Sequence, residues 1–223
     1  KDSKKATSIS IGKETVTLYL SKTIKFDAVP VMVTVGPEDA TDKSYTVKIK
    51  DIGIASFDGF GFVGKKAGET TATFTLADGT SETITIKCKN RTFWVDYPAD
   101  SFEGGNGSQN NPYLVKTAKQ LARISYLGKN NKLKNDIYFK QVADIDLSGK
   151  NWYPIKGTDQ DSYISRINYD GNGYDIKNLH ISNINQDMFL DYAALFACTT
   201  GQLKNINMID VNINAADSRF AAP

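Results

Sequence analysis

Along residues 15–88, apolar and polar positions alternate in short runs. Thr15 to Leu20, Ile24 to Phe26, Val31 to Val35, Tyr45 to Ile49, Ala72 to Leu76 and Thr83 to Cys88 are rich in Thr, Val, Ile and aromatics. That composition with a period of two predicts half-buried strands. Gly-, Pro- and Asp-containing breaks fall at 36–38, 58–61 and 77–80. Asp78-Gly79, between Phe74/Leu76 and Ile84/Ile86, predicts a hairpin because both turn residues tolerate positive φ. Short strands at this spacing predict a β-sandwich.

The second half changes period. Thr117 with Gln120 three residues on forms a capping-box pattern, and Leu121, Ile124 and Leu127 recur at helical spacing, predicting one amphipathic helix near 117–127. Beyond Lys134, short alternating runs are joined by Asn, Asp and Gly. One motif repeats, Ile-Lys-Asn-Leu-His-Ile at 176–181 and Leu-Lys-Asn-Ile-Asn-Met at 203–208, an offset of 27 residues. A turn, a short strand and a period in the twenties predict the coils of a parallel β-helix. Ile176, Leu179 and Ile181 are then expected inside. Gly171 and Gly173 would turn the chain with positive φ, and Asn178 and Asn205 would stack as a hydrogen-bonding ladder. The helix would cap one end, since an open solenoid end exposes strand edges. Near the C-terminus Ile206, Met208, Val211 and Ile213 form an apolar rung with no helix after it. The expectation is that the natural protein continues past Pro223 or that a partner chain covers this end.

Composition sharpens the division. Residues 1–89 contain no asparagine while 90–214 hold all 17, and threonine runs from 14 to 5. The expected organisation is a polar leader at 1–6, a sandwich at 7–90, a linker at 91–101 and a partial β-helix at 102–223. Basic and acidic residues number 13 and 11 in residues 1–89 and 14 and 14 thereafter. This even spread excludes the concentrated basic face expected of a nucleic-acid binder. No apolar run reaches the roughly 20 residues of a membrane-spanning helix. Cys88 and Cys198 both sit in apolar runs and read as buried thiols. A single histidine excludes a conventional Cys/His zinc site.

Two resemblances follow from particular motifs. Pro37 to Lys43, Ile54 to Phe74, Asp78 to Thr80 and Ile84 to Ile86 are similar in order and spacing to the bacterial immunoglobulin-like group 2 domain. Where that family often carries a Trp after the Lys of its first motif, Tyr45-Thr46-Val47 follows here, so other side chains must pack the core. Asn110 to Val115, Ala143 to Ile155, Asp170 to Ile181 and Ala194 to Ala197 resemble the GLUG-motif β-helical repeat region of secreted bacterial proteins, over about 102–214. Together they imply a mainly β protein: an immunoglobulin-like β-sandwich followed by a short right-handed parallel β-helix with an N-terminal capping helix. They also imply a surface or secreted module.

Candidate chemistry is sparse. Asp170-Gly171-Asn172-Gly173 lacks the Lys-Ser/Thr and the helix of a phosphate-binding loop. His180, between Leu179 and Ile181, is expected to point outward, and no nucleophile elbow or HExxH accompanies it. Asp144 and Asp146 share one face of a strand, roughly 7 Å apart by strand geometry, a separation suited to an inverting glycosidase; their alternative is solvated or turn-bonding aspartates. Trp152, Tyr153 and Tyr163 offer sugar-stacking rings or, alternatively, core packing. No twelve-residue acidic loop for calcium appears. The sequence therefore assigns no catalytic residue, metal or cofactor. It points to a noncatalytic secreted or cell-surface module for adhesion, display or binding of host glycans or surface proteins. The alternatives are a polysaccharide-cleaving β-helix enzyme and the noncatalytic flank of a larger surface protease.

Overall fold

A computed structural model describes residues 4–22, 25–134, 136–156, 166–182, 192–214 and 220–221. The chain is mainly β, with one α-helix among the described residues, and it divides into two compact units, Lys1–Arg91 and Thr92–Pro223.

In the first unit, four strands form a sheet in the order Thr15–Leu20, Ser81–Asn90, Gly68–Leu76, Tyr45–Ile49. The two long strands are the predicted hairpin. Gly79 takes φ 89° and the Asp78 carboxylate accepts from the Thr80 amide at 2.9 Å, so both turn residues do what their chemistry favours. The outer pairing of Thr15–Leu20 with Ser81–Asn90 is parallel. Two smaller sheets, Ser8–Ile11 with Val33–Gly36 and Val29–Pro30 with Gly61–Gly64 and Ala55–Phe57, contribute to the same apolar core. Phe57, Phe62 and Phe74 lie 5.0 to 6.2 Å apart by ring centroid and fill its centre. The expected run Val31 to Val35 is a strand only from Val33, running to Gly36, with a separate short strand at Val29–Pro30 before it, and Ile24 lies outside the described residues. Residues 4–6, part of the expected polar leader, make contacts with the first unit: Lys5 bridges Asp42, Lys4 pairs with Asp39 at 2.8 Å, and Ala6 packs on the core.

The second unit is built from in-register parallel ladders. Tyr113–Val115, Ile137–Gln141, Ile167–Asp170 and Leu203–Lys204 form one; Ile145–Asp146, Asp175–Lys177 and Asn207–Ile209 a second; His180–Ser182 and Asn212–Asn214 a third. The described strands of three successive passes, from 137–156, 167–182 and 203–214, thus lie side by side. The inward columns are apolar: Phe139 over Tyr169, Ile145 over Ile176, all 2% exposed or less. Ile176, Leu179 and Ile181 are buried as expected. A buried polar network crosses this interior, with Tyr169 donating to Gln141 Oε1 and Gln141 Nε2 donating to the carbonyls of Ala143 and Asp175.

The register corrects the repeat. Ile176 pairs with Met208, 32 residues on, not with Leu203, whose partner is Tyr169. Asn178 and Asn205 therefore lie at different corners, and no ladder links them. Both adopt positive φ, 57° and 52°. Gly173 takes positive φ as expected, but Gly171 does not; a Cβ there would stand 2.2 Å from the Asn205 carbonyl. Close approach between passes, not turning, requires that glycine.

The helix forms at Ala118–Lys129 with Thr117 as N-cap, its side chain accepting from the Gln120 amide. The box is displaced by one residue, because Gln120 Oε1 accepts from Lys116 N at 2.8 Å. Leu121, Ala122 and Ile124 are fully buried, and Ser125 donates to the Tyr153 carbonyl at 2.7 Å. Gly128 lies so close to Lys156 that a Cβ would be 2.0 Å from its carbonyl oxygen. Of residues 91–101, expected as a linker, Arg91 stays with the first unit and the rest belong to the second: Phe93 and Val95 are 1% exposed, Phe93 bridges Asn151, and Trp94 Nε1 donates to the Leu147 carbonyl. The edge of Tyr113–Val115 is met by Glu103 and Gly104. On the last pass, Leu203 and Ile209 are exposed and Ile206, Met208, Val211 and Ile213 half-buried.

Candidate functional site

The outer surface of the three passes carries the side chains that could do chemistry. On the second ladder, each acid is committed. Asp144 accepts from Lys177 Nζ at 2.8 Å and from the Asp175 amide at 3.0 Å. Asp146 accepts from Asn178 Nδ2 at 2.9 Å and from the amide and hydroxyl of Ser148. Asn207 donates to Asp175, and Ser182 to Asn151. The Lys177 ammonium, then the Asp175 amide, hold Asp144 below the ordinary carboxylate range; Asn178, then the Ser148 amide, do the same for Asp146. Lys177 is pushed up in turn, chiefly by Asp144. A glycosidase acid needs the opposite, a carboxyl kept protonated near neutrality. Asp144 is thus tied to the neighbouring pass, and Asp146 to that pass and to its own turn.

Trp152 and Tyr153 are 1% and 2% exposed, and Trp152 Nε1 donates to the Leu195 carbonyl, so neither ring is a surface platform. Tyr163 lies outside the described residues. His180 is half-buried on its strand between the buried Leu179 and Ile181. Cys88 is free and buried, and burial pushes its thiol up; the Cys198 side chain is outside the description. Among the described residues no cluster of His, Cys, Asp or Glu could hold a metal ion.

The first ladder presents a different surface. Because its strands alternate buried and half-buried positions, Tyr138 and Lys140 point outward from one pass, and Asn168 and Asp170 from the next. With Gln202 and Lys204 and a rim at Gln109, Asn110 and Pro112, they line a groove of about 470 Å³. Register sets two columns across the passes. Lys140, Asp170 and Lys204 align as one, while Tyr138, Asn168 and Gln202 stand two residues away along the strands. The rim is held by glycines: Gly105 and Gly107 take φ 82° and 79°, and a Cβ on Gly105 would stand 1.9 Å from the Pro112 carbonyl oxygen. Burial works against ionisation of Asp170. The Asn205 side chain, the Asn172 amide and Lys204 overcome it, so its carboxyl still lies below the ordinary range. Sequence reasoning missed this groove. Its one local signal was the outward pair Tyr138 and Lys140; the rest depends on a register that the repeat misjudged.

These features define a mainly β protein with a polar groove over the first ladder. No known protein family matches the chain by its sequence profile. The chain is similar to a protein of Evansella cellulosilytica named "Putative Gly-rich membrane protein", with 34% identity over 121 residues, covering 49% of this chain and 12% of that relative. The match is thus a small part of a much longer protein. No helix among the described residues is long and apolar enough to cross a membrane.

Proposed function

We propose that the chain is a noncatalytic binding module of a bacterial cell-surface or secreted protein, an immunoglobulin-like sandwich joined to a short right-handed parallel β-helix with a helical cap. In-register parallel ladders with varied corners support the second half of that reading, and one apolar core shared by several small sheets supports the first. The observation that carries the absence of catalysis is the commitment of Asp144 and Asp146 to neighbouring passes. Adhesion or display at a cell surface also agrees with similarity to a short stretch of a long protein named for the membrane.

Binding of the purified chain to glycan and host-protein arrays, run beside reducing-sugar release from pectins, host glycans and mucins, tests the proposal. Saturable binding without release is expected. Release that disappears in Asp144→Asn or Asp146→Asn would replace it with the enzyme reading.

A further inference from the structure

We propose that the groove over the first ladder binds an extended acidic glycan, one carrying uronate carboxylates; this rests on the binding-module reading above and names its ligand. The argument begins with what the groove leaves unused. Among the described residues, the Lys140 ammonium, the Tyr138 hydroxyl and the side-chain amides of Gln109, Asn110 and Gln202 take part in no hydrogen bond or ion pair within the chain, whereas Asp170 and Asn168 are tied to neighbouring passes. The second ladder, a few residues further along each pass, spends its acids, its Lys177 and its Asn178 on itself. Of the two faces, the one that keeps polar groups open is the grooved one.

Their types select the ligand. Lys140 lies beside Asp170 in register, but Asp170 is already satisfied by Lys204, Asn205 and the Asn172 amide. The charged column thus carries a net positive charge of one, with Lys140 the cation left to meet an incoming anion. An ammonium is a compact point charge suited to a lone carboxylate. Tyr138 supplies an aromatic body with a polar tip, the combination that accepts a sugar's apolar face and its hydroxyls together. Gln109, Asn110 and Gln202 add donors and acceptors at both sides, and a carbohydrate needs both. The outward side chains lining this groove are mostly polar, which suits a carbohydrate better than an apolar peptide side chain. Adjacent passes lie about 4.8 Å apart, close to the length of one pyranose unit, so a chain crossing the passes meets Tyr138, Asn168 and Gln202 in succession.

The test titrates the full chain with a galacturonate oligosaccharide, its uncharged galactose counterpart and a poly-glutamate peptide, in wild type, Lys140→Ala, Tyr138→Phe, Tyr138→Ala and Asp144→Asn. The uronate should bind, and the uncharged sugar should bind about tenfold more weakly or worse, since a charge-assisted hydrogen bond is lost. Lys140→Ala should erase that difference, both Tyr138 variants should weaken binding, and Asp144→Asn should leave it unchanged. Thermal melts of each variant check folding; should Tyr138→Ala unfold, Tyr138→Phe alone reads the phenol. Equal binding of the uncharged sugar, tighter binding of poly-glutamate, or uronate binding indifferent to Lys140→Ala each overturns the site. A wild type that binds other array glycans but no uronate overturns this inference alone, and one that binds nothing on any array overturns the module reading as well.

Discussion

Two outward faces of the same three passes use similar residues to opposite ends. On the face of Asp144, Asp146, Asp175 and Lys177, each charged or amide group reaches sideways to the next pass, and Asp144 and Asp146 sit below their ordinary range because of such contacts. On the face of Tyr138 and Lys140 a comparable set leaves several groups open above a groove. A paired aspartate motif on a parallel ladder is thus weak evidence for catalysis until the neighbouring pass has been consulted. What matters is which partners the register brings within reach.

That comparison can be broken first at the spacing between passes. Gly171→Ala drives a Cβ into the Asn205 carbonyl at 2.2 Å, and Gly128→Ala does the same at Lys156; each should cost at least about 3 kcal/mol or abolish cooperative unfolding in denaturant titration. Gln141→Leu removes the acceptor of Tyr169 and the donor to two carbonyls inside the passes. A loss of about 2 to 3 kcal/mol by urea midpoint is expected, against almost none if water replaced the amide. Thr117→Ala removes the helix N-cap and should cost about 1 kcal/mol, read from the same titration.

Acid sharpens the contrast between the faces. Asp144, Asp146 and Asp170 have folded pKa values below their unfolded ones, so their contribution is present above the ordinary carboxylate range and is lost as pH falls through the lowered values. Stability should therefore drop below about pH 4. Asp144→Asn should flatten part of that drop and Lys140→Ala none of it. At neutral pH both surface variants should move the melting transition least of all, Asp144→Asn slightly downward because its ion pair is solvent-exposed.

Much of the architecture was legible because alternation and helical spacing are local. The 78–79 hairpin, the helix after Thr117 and the inward trio Ile176, Leu179 and Ile181 follow from residues within a few positions of one another. The period was not legible, for a physical reason. Lys177-Asn178 and Lys204-Asn205 each end a strand and then turn through an Asn at positive φ. The same chemistry closes two different corners, so matching the motifs aligned a corner with its neighbour rather than with its counterpart, Asp210, at φ 55°. The stretch 91–101 looked like a linker from its Pro and Asp, yet Phe93 and Val95 are buried, and Phe93 and Trp94 are held by Asn151 and Leu147, more than fifty positions away. The groove is hidden in the same way, since Gln202 reaches Asn168 only through the register.

The most direct measurement of the central claim is side-by-side glycan binding and reducing-sugar release by wild type, Asp144→Asn and Lys140→Ala. The account predicts that wild type and Asp144→Asn bind an acidic oligosaccharide equally and release nothing, while Lys140→Ala binds it about tenfold more weakly, no better than the uncharged sugar. Sugar release by wild type that Asp144→Asn abolishes, with Lys140→Ala still active, would contradict it.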